Sequence, residues 1–76
     1  MAVKIFGVTA NSHADRAKIK SGESLLTING NIIEDVLDYR FHQVNRDLTL
    51  EIQDGNGDVR TVKIYKSEYE EIGLEF

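Results

Sequence analysis

Apolar positions recur along this chain with two periods, and the switches between them mark its elements. Val3 to Val8 alternates, with Val3 and Ile5 on one face and Phe6 and Val8 on the other, which predicts an opening strand in which Gly7 suits a bulge. From Ser12 to Gly30 the period changes twice. Ser12 and Asp15 approximate a capping box, and Ala14, Ala17 and Ile19 form a stripe of small residues closed by one larger side chain. A short, tightly docked helix is expected there, ended by the positive φ that Ser21-Gly22 supplies. Leu25, Leu26 and Ile28 then read as a strand, and Asn29-Gly30 is the pair a type I′ turn needs before Asn31-Ile32-Ile33 returns. Asp35 is the expected N-cap of a second helix running to Val44, with Leu37, Phe41 and Val44 at i, i+4 and i+7 facing the core. Tyr39 and Phe41 cannot share a face at i, i+2; Phe41 is assigned to the core and Tyr39 to a groove or interdomain surface.

The second half of the chain is simpler. Leu48 to Gln53 alternates cleanly, which places Leu48, Leu50 and Ile52 inward. Asp54 to Asp58 is turn chemistry throughout, and a hairpin partner follows with Val62 and Ile64 on one face and Thr61, Lys63 and Tyr65 on the other. After a polar connection from Ser67 to Glu71, the run Ile72-Gly73-Leu74-Glu75-Phe76 predicts one more short strand behind a permissive glycine.

Seventy-six residues make one domain, near the lower limit for a core without metal or disulfide staples. The chain has no cysteine, so disulfides and thiolate chemistry are excluded within it. A net charge of −4 with scattered Lys and Arg disfavours nucleic acid as a partner, and no apolar run reaches the length of a bilayer span, which disfavours the membrane. A cytoplasmic, monomeric domain is expected. The acids are uneven: Glu68, Glu70, Glu71 and Glu75 crowd the last nine residues, with no base among them.

Candidate chemistry thins out under the same reading. Asp54, Asn56 and Asp58 imitate the first three ligands of a calcium loop, but the sixth position, which requires Gly, is Val59, and the twelfth, which requires Glu, is Tyr65. His13 and His42 have no ligand-spaced partner; the first reads as a solvated neighbour of the cap and the second as an exposed helix residue. The Ser12 hydroxyl is accounted for by capping, and no His–acid pair is placed to activate it. No catalytic residue, metal ligand or cofactor is assigned.

Val8 through Gly30 resembles a bacterial PDZ pattern, carried by Ser12-His13-Ala14, Gly22-Glu23 and Leu25-Leu26-Thr27-Ile28-Asn29-Gly30. The usual Pro is His13 here and the usual Asp is Glu23. Val62 to Lys66 followed by Ile72 to Phe76 is similar to the first strand and carboxylate-binding loop with which animal PDZ domains begin, so the chain looks circularly permuted relative to them. The string Asp35-Val36-Leu37-Asp38-Tyr39-Arg40-Phe41 with the terminal Ile-Gly-Leu-Glu-Phe looks like the N-terminal PDZ-like domain of a clostridial-type bacterial family, where it precedes a radical-SAM-like iron–sulfur region.

The resemblance implies an α+β fold, a small, partly open β-barrel or sandwich of about five or six strands with two helices. It implies that residues 1–76 are one domain excised from a longer protein, with the cluster-binding cysteines beyond Phe76. The implied role is non-catalytic: interaction with a protein or peptide segment, including another domain of the same chain. An extended segment would add as a strand beside Leu74 to Phe76, with Ile72, Gly73, Leu74 and Phe76 on one side and Val36, Tyr39, Arg40 and Gln43 on the other. The alternative reading is a free-standing PDZ domain that binds C-terminal or extended peptides by strand addition. Glu70, Glu71 and Glu75 stand against that reading because they would repel an incoming carboxylate, with Lys66 and Arg40 as the nearby cations.

Overall fold

The computed structural model describes residues 2–76. Its elements in chain order are β1 (Val3–Lys4), β2 (Gly7–Val8), α1 (His13–Arg16), β3 (Ser24–Ile28), β4 (Asn31–Ile32), α2 (Val36–His42), β5 (Asp47–Gln53), β6 (Val59–Tyr65) and β7 (Leu74–Glu75). The strands form two antiparallel ladders. One is a five-stranded sheet in the order β1-β3-β5-β6, with β4 also paired to β3; the other is the two-stranded ladder β2-β7. The result is a small α+β domain with two helices whose sheet does not close into a barrel.

The opening run expected as one strand is divided, because its halves pair with different partners. Val3 and Lys4 oppose Leu25 and Ser24, whereas Gly7 and Val8 oppose Glu75 and Leu74. Between them Ile5 is fully buried, donating to the Glu23 carbonyl and accepting from Gly22 N–H, both at 2.8 Å. Phe6 N–H also donates to the Glu75 carbonyl, so two residues of this segment oppose one of β7, as in a bulge.

Helix α1 is capped as its sequence dictates and ended differently. Ser12 Oγ accepts from Asp15 N–H, and the Asp15 carboxylate reaches back to the N–H of Asn11 at 2.8 Å. The helix then stops at Ala17, and Ser21-Gly22 plays no part in ending it. Lys18 takes φ 67°, with Lys18 N–H donating to Asp15 and Ile19 N–H to Ala14, the paired bonds of a Schellman stop. A lysine occupies the place usually held by glycine because Ile19, the next residue, must turn into the core, where it is 1% exposed beside fully buried Ala14. Gly22, at φ 92°, serves the following turn.

The Asn29-Gly30 turn has positive φ at both residues, as a type I′ hairpin between β3 and β4 requires. Asn29 also clamps the neighbouring strand: its Oδ1 accepts from Thr49 N–H and its own N–H donates to the Thr49 carbonyl, both at 2.8 Å. Strands β5 and β6 follow the predicted alternation, burying Leu48, Leu50 and Ile52 on one and Val62 and Ile64 on the other. Asp54 is a turn residue, its Oδ1 accepting from the N–H groups of Asn56 and Asp58. Ile72 and Leu74 close the core from the chain's last segment.

One ion pair links the sheet to the first turn. Arg60 on β6 donates to both carboxylate oxygens of Glu23, at 2.7 and 2.9 Å, and to the Lys18 carbonyl. The hydrogen bonds from Arg60 hold the Glu23 carboxyl below its ordinary value. A carboxyl with a depressed folded-state pKa contributes stability above its unfolded-state pKa and loses it as pH falls through the folded value. Arg60 is more than a third exposed, which limits the pair's worth to about 0.5–1 kcal/mol. Arg60→Leu is therefore expected to lower urea stability by that amount at neutral pH and by less at pH 3; an equal loss at both pH values would refute the assignment.

Candidate functional site

The sequence places eight residues around one strand and one helix, and the structure brings five of them to a common groove. The groove lies between β7 and α2, with a volume of about 290 Å³. Val36, Tyr39 and Arg40 line it from the helix; Leu74 and Phe76 line it from the strand, together with Glu71 and Glu75. Gln43, Ile72 and Gly73 are not in the lining. Ile72 is fully buried, and its carbonyl accepts from Ala14 N–H at 2.8 Å. Gly73, at φ 96°, lies against the Ser12 side chain, and its carbonyl accepts from Thr9 N–H. Gln43 is 6% exposed at the C-cap of α2, its Oε1 buried without a hydrogen-bond partner among the described residues.

The facing of α2 reverses the expectation for its aromatic residues. Tyr39 is the core residue, 4% exposed, whereas Leu37 and Phe41 are each more than 70% exposed. Two stripes compete on this helix about a third of a turn apart: Leu37, Phe41 and Val44 on one, Val36, Tyr39 and Gln43 on the other. Position relative to the sheet decides between them. The Asp35 cap, whose carboxylate accepts from Asp38 N–H at 2.9 Å, starts the helix so that Tyr39 points across to the end of the chain. There its ring meets Phe76 edge to face at 4.7 Å. A tyrosine suits this place because its ring fills a buried site against Phe76. Burial raises the phenol pKa and the charge of Glu71 raises it further, with the Leu74 backbone and the charge of Arg40 opposing both.

Among the described residues, the edge of β7 on the groove side is unpaired. The carbonyls of Gly73 and Glu75 are bonded to Thr9 and Phe6, so the alternation of an antiparallel ladder turns the main-chain groups of Leu74 and Phe76 away from β2, toward α2. That geometry leaves a strand edge and a helix face on either side of one slot. A broader, more open depression elsewhere is lined by Asn29, Asn45, Arg46, Asp47 and Glu68, all polar.

The acidic connection before β7 is partly tied down. His13 on α1 lies 3.2 Å from Glu70, and Glu70 also accepts from Ser67 N–H; that backbone bond, followed by His13, holds its carboxyl low. His13 is thus engaged on both sides, its other ring nitrogen facing Arg16 at 3.3 Å. His42 is half-buried, not exposed as expected, with its ring edge to face with Phe41 at 4.9 Å. Lys66 lies in the field of Glu70, Glu71 and Glu68. No helix is long and apolar enough to cross a membrane among the described residues. No family model matches the chain, and no curated protein matches it.

Proposed function

We propose that this chain is a circularly permuted, PDZ-like docking module, itself non-catalytic, of a bacterial protein that continues into a radical-SAM-like iron–sulfur region. The observation that carries the reading is the slot between α2 and β7, where an unpaired strand edge faces a helix across a groove of about 290 Å³. Strand addition needs that pairing of parts: main-chain groups to supply hydrogen bonds and a flanking helix to supply pockets for alternate side chains. The exposed Leu37 and Phe41, one turn apart on α2, add an apolar surface beside it of the kind that domains cover when they dock. The motifs from Ser12 to Gly30, from Asp35 to Phe41 and from Ile72 to Phe76 supply the family part of the proposal.

Hydrogen exchange compared between this 76-residue chain and the longer natural protein tests the docking role. The amides of Leu74 and Phe76 are expected to exchange at least about tenfold more slowly in the longer protein, because a bound segment must leave before they open. Equal rates in the two proteins would remove the docking role.

A further inference from the structure

We infer that the outer edge of β6 is a self-association surface, on which a second copy of this chain adds its own β6 antiparallel and extends the sheet across a two-fold axis at Val62. The inference is independent of the α2–β7 groove and concerns the larger sheet.

The ends of the β5–β6 ladder fix which main-chain groups stay open. Lys66 N–H donates to the Arg46 carbonyl at one end, and Asp54 N–H donates to the Asp58 carbonyl at the other, both at 2.9 Å. Between them the register runs without a shift, from Asp47 opposite Tyr65 to Gln53 opposite Val59. The alternation of an antiparallel ladder therefore directs the main-chain groups of Arg60, Val62 and Ile64 to β5, and those of Val59, Thr61, Lys63 and Tyr65 outward. Strand β6 is the last in its sheet, and among the described residues no hydrogen bond engages those outward groups. The opposite edge of the sheet is made only of the two-residue strands β1 and β4. A regular edge of seven residues is a template for another strand. The chain has no proline to blunt it, and Lys63 is the one charged side chain among the four outward residues.

The edge is complementary to itself. A two-fold axis at Val62 is the one centre that overlaps all of Val59–Tyr65 with its copy, and it sets Val59 opposite Tyr65 and Thr61 opposite Lys63. These become hydrogen-bonded pairs, since all four residues present their main-chain groups outward. At both ends a valine 50% exposed meets a tyrosine 69% exposed, and an aromatic opposite a β-branched residue is a favourable cross-strand pair. The row that holds Lys63 and Thr61 continues to Glu51, which lies opposite Thr61 on β5 and makes no salt bridge of its own among the described residues. Each ammonium thus has a carboxylate one strand further on and no like charge opposite. An axis at Lys63 would set the two lysines face to face, and an axis at Thr61 would shorten the overlap and leave Tyr65 without its valine. On the inner face Val62 meets Val62, and Arg60, held by Glu23, lies opposite Ile64.

Two seven-residue strands bury less than the roughly 1,600 Å² of a standard interface, so the dimer is weak and reversible.

The test follows the 76-residue chain by sedimentation velocity and NMR as its concentration rises. A monomer is expected at about 10 μM, and a dimer half formed at about 0.1–1 mM. Amide shifts should move with concentration at Val59, Thr61, Lys63 and Tyr65 and hold still at Leu74 and Phe76. Thr61→Lys is an exposed change that sets an ammonium beside the chain's own Glu51 but opposite Lys63 of the second copy, twice in each dimer. It should weaken the dimer about fivefold or more. Adding Lys63→Glu makes both facing pairs opposite in charge and should restore the dimer. A native chain that stays monomeric at about 1 mM overturns the inference without recourse to any variant. So does a dimer whose shifts centre on α2 or β7, one that Thr61→Lys leaves as strong as before, or a double variant no stronger than Thr61→Lys alone.

Discussion

Gly73→Ala is expected to lower stability by about 2–5 kcal/mol, a large share of the total stability of a domain of this size. Two costs add. At φ 96° the backbone lies where an L side chain is strained, worth about 1–2 kcal/mol. A Cβ built on Gly73 also overlaps the Cβ and Oγ of Ser12, the residue that caps α1, and overpacking of this kind costs about 1–3 kcal/mol. The two separate in a double-mutant cycle with Ser12→Gly. Glycine is a tolerable N-cap, so that change alone should cost only a few tenths of a kcal/mol, roughly, while removing both overlapping atoms. Urea unfolding of the four proteins should show Gly73→Ala partly rescued in the Ser12→Gly background, by the packing share and not the φ share. Simple additivity would mean that Gly73 and Ser12 do not share the close approach.

The second large effect separates two aromatic residues only two positions apart. Tyr39→Ala is expected to cost about 3–5 kcal/mol, since it empties a buried site and removes the edge-to-face partner of Phe76. Phe41→Ala should stay within about 0.5 kcal/mol, because that ring is exposed. Comparable losses at the two positions would show that α2 packs with its other stripe. The Tyr39 phenol adds a test in pH. Burial first, then the Glu71 charge, holds its pKa above the ordinary value of 10.0, so the folded chain keeps a proton that the unfolded chain releases. The associated stability is fully present below pH 10 and is lost as pH rises above it toward the folded-state value. The difference in stability between the native chain and Tyr39→Phe should therefore shrink or reverse as pH rises above 10, and a pH-independent difference would contradict the buried phenol.

The elements legible in the sequence are those whose signals are local. The Ser12 and Asp35 caps, the Asn29-Gly30 turn and the β5–β6 hairpin each depend on atoms within a few residues, and each forms where its sequence places it. The misread elements depend on partners far along the chain. Val3 to Val8 divides because one half finds β3 and the other finds β7, nearly 70 residues away. Lys18, with no cue of its own, takes the left-handed turn because burial of Ile19 requires it. Of the candidate site, the alternation of Ile72 to Phe76 and the helix of Val36 to Arg40 located the two walls. Which face of that helix turns inward was not legible, since Val36 and Tyr39 fit its period as Leu37 and Phe41 do.

The sequence by itself determined a small α+β chain with two capped helices, the two strands and inward faces of its main hairpin, and an acidic C-terminal segment, because these follow from local hydrogen bonding, side-chain alternation and composition. Only the tertiary structure decided that Tyr39 and not Phe41 enters the core, that Ser12 closes on Gly73, and that β7 has one paired and one open edge. Each of those outcomes is set by which surfaces meet when the ends of the chain come together, and a side chain's neighbours across that contact are not encoded in its spacing from its own neighbours in sequence.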